Sequence, residues 1–365
     1  MNSFVIEREK IKKNKDVIFE KAGDAIVIAV VKGNGYGFGL SEYISLLYES
    51  GIRFFAVTSP ADALKIRELC HEDAEILMLR STSLPDEIAS LIDNSIILTV
   101  GTLDAAVAIN KIALSKNTVA KVHIKLDTGM GRYGFDPNDI ETIYSAFTNF
   151  PSLDPCGLFT HLTSAFKSKK VTEAQIASLD KVKEELIARG IDCGAVHFAN
   201  SSYLFKFHGP YGDAVRIGSA FTGRLPCKIR KNRLMRVGHI ESNICELRWL
   251  TPGSKVGYSG TYTAKKATRI AILPIGYADG IHVEKARDTY RIRDVFFYIL
   301  SDIKKMLSKK RIYATINGSR ARILGHIGMT HTVCDVTDIP CNIGDIAMFE
   351  INPIYVSPEI HREFI

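Results

Sequence analysis

The residue of this sequence with the clearest chemical potential is a lysine at the end of a buried strand. Residues 25–31 are all apolar, as in a strand covered on both faces, and Lys32 follows at once. Glycines then occupy alternate positions: Gly33, Gly35, Gly37 and Gly39. Because an amine at the mouth of a buried strand is costly to desolvate, this position favours a chemical role. Glycines would let the backbone approach a ligand closely.

Three interpretations of this segment compete. It is a tight strand-to-helix turn whose lysine reaches solvent, or a phosphate loop, or a site at which Lys32 forms a Schiff base with a carbonyl cofactor, with Tyr36 nearby. The phosphate loop fits poorly, because no Gly-Lys-Ser/Thr follows and the glycine spacing is not G-x-G-x-x-G. The rest of the chain must discriminate among them.

Length and composition bound the class of protein. The chain has 365 residues, of which 46% are hydrophobic and 24% charged, so we expect an ordinary soluble globular protein with one large domain and a smaller one. The net charge of +7 is mild. If this charge is spread along the chain, it weakly favours an anionic ligand and disfavours a nucleic-acid partner.

Targeting signals and cysteines point to the cytoplasm. No apolar signal segment follows Met1, and no apolar run reaches the roughly 18 residues of a membrane span, so we expect no membrane partner. The seven cysteines are odd in number and scattered, and none forms C-x-x-C. We therefore expect reduced thiols, a cytoplasmic location and no metal site.

An alternation of apolar runs with helical patterns predicts the fold. Eight apolar runs occupy residues 25–31, 52–59, 75–81, 95–102, 119–127, 156–162, 193–200 and 214–219. Helical patterns separate them, and a charged amphipathic helix is expected over residues 4–22. Continuous apolar strands indicate burial on both faces, which predicts an α/β fold, a (β/α)8 TIM-type barrel over residues 1–230. A doubly wound open sheet is the competing fold.

Polar side chains cluster at the carboxyl ends of these strands, where a barrel places its active site. They are Lys32, Lys125, Asp127, Arg132, His161, Asn200, Ser201, Arg216, Gly218 and Ser219. Each alone has a structural explanation, and a histidine at a strand end is more often a satisfied structural group. Five strands that deliver polar groups to one rim favour a shared site.

The sequence changes character after about residue 228. Shorter strands with turn signals predict a C-terminal antiparallel β-domain over residues 231–365. Within it, the charged segment 282–312 is helical, and its apolar residues recur at helical spacing between 295 and 307. We expect an amphipathic helix that covers the β-domain, and a helix for a partner or a membrane surface is the alternative.

Several motifs in register resemble one family. They are AVVKGNGYGFG around Lys32, KLDTGMGRYG (125–134), FTHLTSA (159–165), VRIGSA (215–220), VGYSGTYTA (256–264) and LPIGYADG (273–280). Together they resemble the alanine racemases, pyridoxal-phosphate enzymes with a barrel and a β-domain, over nearly the whole chain. A lone K-x-N-x-Y-G motif would be less specific, because related barrels that only carry the cofactor share it.

The resemblance implies two catalytic bases on opposite faces of the substrate. Lys32 would hold the cofactor and act as one base, and Tyr258 would be the other, reaching the site from the second subunit of a homodimer. Two bases allow an α-proton to be removed from one face and returned to the other. His161 would belong to a network that links Arg216 with Tyr258 and lowers the pKa of the tyrosine.

The resemblance also implies binding roles. The phosphate would be bound by Tyr36, Ser201 and the backbone of Gly218 and Ser219, and Asn200 would be a further cofactor-binding residue. Arg216 would face the pyridine nitrogen and keep it unprotonated, since guanidinium scarcely gives up a proton. The substrate carboxylate would be held by Arg132, the backbone at Met329 and Tyr277, and Lys125 matches a lysine that some members carry as a carbamate.

These features predict a pyridoxal-phosphate-dependent racemase for alanine or a similarly small amino acid, supplying D-alanine or D-serine for cell-wall peptide. A serine or broad-specificity racemase, a cofactor carrier without turnover, and a decarboxylase of the same barrel type are the alternatives. The sequence departs from the family at the extra glycines and Phe38 of the lysine loop, the long 282–312 segment, and Gly328 and Thr330 beside Met329. The C-terminal tyrosine of the family aligns with either Tyr355 or Pro358.

Overall fold

The computed structural model describes residues 2–287, 291–308 and 311–365, and the chain divides into two compact units. Arg8–Val237 forms the barrel unit. The residues before Arg8 join Gly238–Ile365 in the second, the sheet unit. The sequence placed one boundary at 230/231, with the N-terminal residues in the barrel. That difference arises because Ser3–Ile6 is strand β1, which pairs with strands of the sheet unit.

The first helix is therefore shorter than expected. Helix α1 spans Arg8–Ala22, so the prediction of a helix from residue 4 was wrong. Phe4, Val5 and Ile6 are buried, and a run of consecutive apolar residues suits a strand covered on both sides better than a charged surface helix.

The barrel unit is a closed barrel of eight parallel strands, which confirms the predicted fold and excludes the open sheet. Its strands are β2 (Ile26–Val30), β3 (Phe54–Val57), β4 (Glu75–Ser81), β5 (Ile97–Val100), β6 (Ala120–Lys125), β7 (Leu153–Phe159), β8 (Ala195–Asn200) and β9 (Ala214–Ile217). Its further helices are α2 (Gly33–Tyr36), α3 (Leu40–Glu49), α4 (Pro60–Cys70), α5 (Pro85–Asp93), α6 (Leu103–Ser115), α7 (Ile140–Thr148), α8 (Lys169–Ala188) and α9 (Ser201–Lys206). Strand β9 pairs with β2 and closes the ring.

Apolar side chains fill the barrel at its amino end and leave the carboxyl end free. One buried cluster comprises Ile28, Phe54, Ala56, Leu77, Ile97 and Ala214. Strand β7 begins three residues earlier and ends three residues earlier than the sequence predicted. His161 therefore lies in the loop beyond this strand, on the rim where the carboxyl ends of parallel strands meet.

The sheet unit contains a nine-stranded sheet in the order β11-β14-β17-β16-β15-β18-β10-β1-β19. The strands are β10 (His239–Asn243), β11 (Glu246–Leu250), β12 (Lys255–Val256), β13 (Tyr262–Thr263), β14 (Thr268–Leu273), β15 (Tyr313–Ile316), β16 (Ser319–Ile323), β17 (Thr332–Asp335), β18 (Ile346–Phe349) and β19 (His361–Phe364). All neighbours in the large sheet are antiparallel except β1 and β19, and β12 and β13 form a separate pair. The predicted antiparallel β-domain is confirmed.

The charged segment 282–312 contains helix α10 (Ile292–Leu307), as predicted, while residues 288–290 and 309–310 of this segment lie outside the described residues. No residue of α10 is buried, so the expectation that it covers the β-domain was wrong. Most of the apolar residues of α10 are instead exposed. Across the ranges that the structure describes, we find no helix both long and apolar enough to cross a membrane.

Candidate active site

A cavity of about 630 Å³ opens at the carboxyl ends of the barrel strands. It is lined by Lys32, Tyr36, Lys125, Arg132, His161, Asn200, Ser201, Arg216, Gly218 and Ser219, together with Thr58, Arg80, Tyr133 and Phe159. The strand-end residues of the barrel that the sequence singled out, apart from Asp127, therefore lie around one space. Barrel closure brings them together, since they come from strands far apart in the chain.

The electrostatic character of this cavity is strongly positive. Five of its lining residues are lysine or arginine: Lys32, Arg80, Lys125, Arg132 and Arg216. None of the residues described as lining it is Asp or Glu. The charge of Arg80 is already paired with a carboxylate, because its Nη2 donates to Glu87 Oε1 and Oε2 at 2.7 and 2.9 Å. Such a cavity favours a ligand that carries several negative charges.

Lys32 follows β2 and extends into this space. Its side chain is exposed to the solvent of the cavity. Partial desolvation, and then the charge of Arg132, lower the pKa of the Lys32 amine below its usual value. A larger neutral fraction makes the amine a better nucleophile and a better proton acceptor.

The loop after Lys32 is a left-handed turn rather than a flexible segment. Five consecutive residues have positive φ, from Gly33 at 58° to Gly37 at 89°. This conformation is costly for residues with a Cβ and natural for glycine. A Cβ on Gly35 would also lie 3.1 Å from the ring of Tyr43. The extra glycines noted in the sequence thus fit the backbone that aims Lys32 and Tyr36.

A second close approach joins the turn to the opposite side of the barrel. A Cβ built on Gly218 would lie 2.0 Å from the hydroxyl of Tyr36, so only glycine leaves room for this side chain. The N–H of Gly218 donates to Ser201 Oγ at 3.2 Å. Burial raises the pKa of Tyr36 to about 12, so its hydroxyl stays protonated and can donate a hydrogen bond. Hydroxyls and glycine backbone suit an oxyanion ligand here.

Asn200 and Ser201 mark the junction of β8 and α9. Asn200 Oδ1 accepts from the N–H of Tyr203 at 3.1 Å, and its Nδ2 donates to the carbonyl of Leu162 at 3.3 Å. Asn200 is therefore a helix cap that braces the neighbouring loop as well as a cavity residue. Its bonds fix the position of Ser201.

Arg216 is buried at the base of the cavity, with its two Nη nitrogens bonded to protein. Nη1 donates to His197 Nδ1 at 2.5 Å and to the carbonyl of His197 at 3.0 Å. Nη2 donates to the carbonyls of Thr160 and Phe198 at 2.6 and 3.4 Å. Its Nε–H makes no hydrogen bond to any described residue, which leaves this donor for a ligand. Burial lowers the pKa of Arg216 to about 9, so it remains a cation at neutral pH.

His197 continues this network into the barrel interior. Because arginine can only donate, Nδ1 of His197 must accept, and its proton resides on Nε2. Nε2 lies 2.9 Å from His123 Nδ1, which therefore accepts in turn. Burial, and then the charge of Arg216, lower the pKa of His123 to about 4 and that of His197 well below its usual value. Both rings are neutral at pH 7.

The structure differs from the sequence expectation at His161. Arg216 was expected to pair with His161, whereas its imidazole partner is His197. His161 lines the cavity, and no hydrogen bond of its ring is formed with the residues that the structure describes. Burial, followed by the charges of Arg216 and Lys125, lowers the pKa of His161 to about 3. Its ring is neutral and available to a ligand or another chain.

Asp127 organises the loop that carries Arg132. Its carboxylate accepts from the N–H groups of Gly129, Met130, Gly131 and Arg132 at 2.6–3.1 Å. Partial burial raises the pKa of this carboxyl, but the four donors outweigh it, and the pKa lies below its usual value. The loop is thereby held as a tight turn, with Arg132 exposed to the cavity.

Lys125 ends β6 and is only 2% exposed. Its Nζ lies 5.2 Å from the ring centroid of Tyr133 and 5.8 Å from that of Phe159. Burial, and then the charges of Arg132 and Arg216, lower the pKa of this amine to about 8. A buried amine among cations is unfavourable as an ammonium ion, so conversion to a neutral or negative group would relieve the repulsion.

The remaining residues identified from the sequence belong to the sheet unit. The Tyr258 side chain is 79% exposed. Tyr277 and Met329 lie on adjoining segments, because the N–H of Tyr277 donates to the carbonyl of Gly328 at 3.0 Å and that of Ala278 to Met329 at 3.0 Å. A Cβ on Gly276 would lie 2.2 Å from the Gly328 oxygen, so this glycine permits the close approach.

Sequence reasoning missed His123, His197 and Arg80. Each histidine is the single polar residue within an apolar strand segment, VHI in β6 and VHF in β8. That pattern signals a buried polar group in need of a partner, but not which partner. Arg80 is the penultimate residue of β4, and only its place near the rim would have indicated it.

Comparison with known proteins gives this geometry a context. Residues 6–226 match the family profile described as alanine racemase, N-terminal domain. Residues 237–352 match the profile described as alanine racemase, C-terminal domain. The two matches correspond closely to the barrel unit and the sheet unit.

Individual relatives agree with these profiles. An alanine racemase of Clostridium perfringens (strain SM101 / Type A) is 31% identical over 347 residues, which is 93% of this chain and 83% of the relative. One of Desulforamulus reducens is 31% identical over 340 residues, 92% and 85% of the two chains. Among solved structures, an alanine racemase of Clostridium difficile 630 is similar with a TM-score of 0.81 and 26% identity, covering 99% of this chain and 88% of the other.

Proposed function

The chain belongs to the alanine racemase family, and from this premise we propose that it interconverts L- and D-alanine with pyridoxal phosphate. The observation that carries the proposal is the cavity at the strand ends, which combines an accessible Lys32 with five cationic and no acidic lining residues. A cofactor with a dianionic phosphate and a substrate with a carboxylate are ligands of the required charge.

The residues present fit the cofactor. Tyr36, Ser201, Gly218 and Ser219 form a group of hydroxyls and backbone in which Gly218 leaves room that a side chain would fill. This group would hold the phosphate, and Lys32 would hold the other end through its amine. When bound, pyridoxal phosphate supplies an electron sink that makes the α-hydrogen of an amino acid removable.

Arg216 would bind the ring nitrogen through its free Nε–H. Its two Nη nitrogens are committed to His197, Thr160 and Phe198, so the guanidinium cannot turn away. A cation that stays protonated at neutral pH can donate to the ring nitrogen without giving it a proton. A moderate electron sink of this kind disfavours decarboxylation, for which a protonated nitrogen is better suited.

Two bases would move the proton. Lys32, with its lowered pKa, takes or returns the α-proton on one face. Tyr258 of the partner subunit in a homodimer acts on the other face. Its exposed side chain within the sheet unit supports this role, as does the family to which the chain belongs. Neutral His161 would accept a hydrogen bond from Tyr258 of the partner subunit.

Arg132 would hold the substrate carboxylate, and the substrate-binding roles of Met329 and Tyr277 stay predictions from the family resemblance. Asp127 fixes the backbone from which the Arg132 side chain extends. A carbamate on Lys125 would place a negative group beside Arg132. It forms when the neutral amine nitrogen bonds to the carbon of CO2 and releases one proton. The pKa of about 8 makes the neutral amine available near neutral pH.

Racemisation by the purified protein with added pyridoxal phosphate tests the proposal, with L-alanine and L-serine compared by chiral chromatography. Rapid formation of D-alanine is expected. A preference for serine would assign the protein to serine or broad-specificity racemases. Bound cofactor without turnover of either amino acid would instead indicate a carrier and overturn the proposal.

Two variants test the bases. Lys32→Ala should carry no cofactor that borohydride fixes covalently, whereas Lys170→Ala, an exposed lysine on α8, should retain it. Covalently fixed cofactor on Lys32→Ala would overturn the assignment. Tyr258→Phe should bind cofactor but lose exchange of the α-hydrogen in one stereochemical direction by about 100-fold more than in the other. Equal, small losses would remove Tyr258 as a base.

A further inference from the structure

Helix α10 carries a broad apolar stripe that the rest of the described chain leaves uncovered. At 100° per residue, eight apolar side chains fall within an arc of about 140°. They are Ile292, Val295, Phe296, Ile299, Leu300, Ile303, Met306 and Leu307. Seven of the eight are exposed, with Met306 and Leu307 at 71% and 72%. Over the ~24 Å length of the helix this is too much apolar surface for an ordinary solvent-facing helix.

The charges of the same segment are not those expected from the whole chain. Residues 282–312 contain nine Lys or Arg and four Asp or Glu, a net charge of +5 out of the chain's +7. The positive charge is therefore concentrated here rather than spread along the chain. A segment that is both apolar on one side and basic overall has the composition of a helix that lies on an anionic membrane.

Both acidic side chains of helix α10 form ion pairs with arginines of the same segment. Asp302 is bound bidentately by Arg287 at 2.5 and 2.7 Å, and Asp294 contacts Arg291 at 2.6 Å. In contrast, Arg293 and Lys304 form no salt bridge with any residue that the structure describes. On the helical wheel they border the apolar stripe on one side, at about 100° and 120° from Ile292.

We propose that helix α10 docks this protein onto anionic lipid surfaces, with the apolar stripe inserted at the interface and the bordering cations on lipid headgroups. Phenylalanine, isoleucine and leucine on one face with lysine and arginine beside them are the arrangement that binding at such an interface requires. The helix lies on the membrane and does not cross it. The docking is independent of racemase activity.

The charge of the segment argues against a second copy of the chain as the occupant. Pairing of two α10 helices would bring two segments of charge +5 together, which is repulsive. An anionic surface instead neutralises this charge. A bound nucleic acid would satisfy the cations but leave the apolar stripe in water.

Vesicle flotation of the full-length protein tests the docking. We expect flotation with phosphatidylcholine vesicles that contain about 30% phosphatidylglycerol, little with phosphatidylcholine alone, and a decrease when salt rises from about 0.1 to 0.5 M. Failure to float with the anionic vesicles overturns the proposal. So does self-association by light scattering that depends on α10 without flotation, since a second copy would then be the occupant.

An apolar variant isolates the stripe. Phe296→Gln, Ile303→Gln and Leu307→Gln combined should abolish flotation and leave the circular dichroism and unfolding midpoint unchanged, because all three side chains are exposed. The matched control replaces three exposed apolar residues of the barrel helices with glutamine: Val107→Gln, Leu114→Gln and Ile187→Gln. Equal flotation of the two triple variants overturns the role of the stripe.

A charge variant isolates the cations. Arg293→Glu with Lys304→Glu should weaken binding to anionic vesicles by at least about 25-fold, since each cation at such a surface contributes about fivefold. Lys169→Glu with Lys170→Glu on α8 changes the net charge equally and should have little effect. If both double variants lose binding equally, the attraction is general rather than located on α10, and the proposal is wrong.

Discussion

The Nδ1 atom of His197 lies 2.5 Å from Nη1 of Arg216, at the base of the cavity. The contact makes a neutral imidazole the acceptor for a buried cation. It also fixes the tautomer of His197, which then donates to His123. Among the residues that the structure describes, none accepts from the Nε–H of Arg216, so this donor is left for a ligand and the buried pair determines how the cavity presents its central charge.

Removal of this acceptor should destabilise the protein. His197→Leu leaves a buried cationic donor without a partner, and we expect a loss of about 3 kcal/mol in the free energy of unfolding and weaker cofactor binding. His197→Asn, whose amide oxygen can occupy the position of Nδ1, should lose clearly less. Urea unfolding and cofactor titration measure both. Equal losses for the two variants would mean that volume, not the hydrogen bond, is what matters.

Stability should fall as pH drops below neutral. Histidine in the unfolded chain has a pKa of about 6.5, whereas burial lowers the pKa of folded His123 to about 4. Between these values the unfolded chain binds a proton that the folded chain does not, so acid favours unfolding. At pH 5 the loss from His123 alone is about 2 kcal/mol relative to pH 7.

Urea unfolding at pH 7 and pH 5 measures this effect. His123→Asn should reduce the difference between the two pH values by about 2 kcal/mol. His361→Asn, which changes an exposed histidine of the sheet unit, is the control and should leave the difference unchanged. A pH response that survives His123→Asn intact would contradict the buried neutral state of His123.

The Gly218–Tyr36 contact should control cofactor affinity. A Cβ at position 218 would overlap the Tyr36 hydroxyl, and we expect this overlap to contribute to the cost of Gly218→Ala. We expect cofactor affinity to fall by about 100-fold as Tyr36 is displaced. In a double-mutant cycle, Gly218→Ala should cost much less when Tyr36 is already alanine. Additive losses would show that the two positions act separately.

Bicarbonate should activate the protein through Lys125. The neutral amine fraction rises with pH through about 8, the pKa of this lysine, so carbamate formation should become faster over the same range. Enzyme prepared without CO2 should be less active and recover on addition of bicarbonate, and Lys125→Arg should not respond. A carbamate carbon signal in NMR with labelled bicarbonate provides the direct measurement. Activity insensitive to bicarbonate would indicate that Lys125 acts as an amine.

Much of the barrel and its rim was determined by the sequence alone. Continuous apolar runs specify strands buried on both faces, and the polar residue after each run lies at the carboxyl end by geometry. Lys32, Lys125, Asn200 and Arg216 were identified in this way, and the family resemblance is confirmed by the profile matches. These features depend on local order along the chain, which a sequence shows directly.

Contacts between distant strands were decided only by the tertiary structure. His123 and His197 are 74 residues apart, and the closed barrel places them 2.9 Å from one another beneath Arg216. The pairing of Arg216 with His197 rather than His161 has the same origin, since a histidine in a strand does not reveal which neighbour its ring will meet.

The exposure of helix α10 and the position of strand β1 were also decided only by the tertiary structure. The sequence predicted an amphipathic helix with apolar residues at helical spacing over 295–307, but only the tertiary structure shows that the described part of the chain buries none of its residues. Likewise β1 joins the sheet unit, because its backbone pairs with β10 on one side and with β19 on the other. A pattern of apolar residues determines that a surface must be buried, while the available partners in three dimensions determine where.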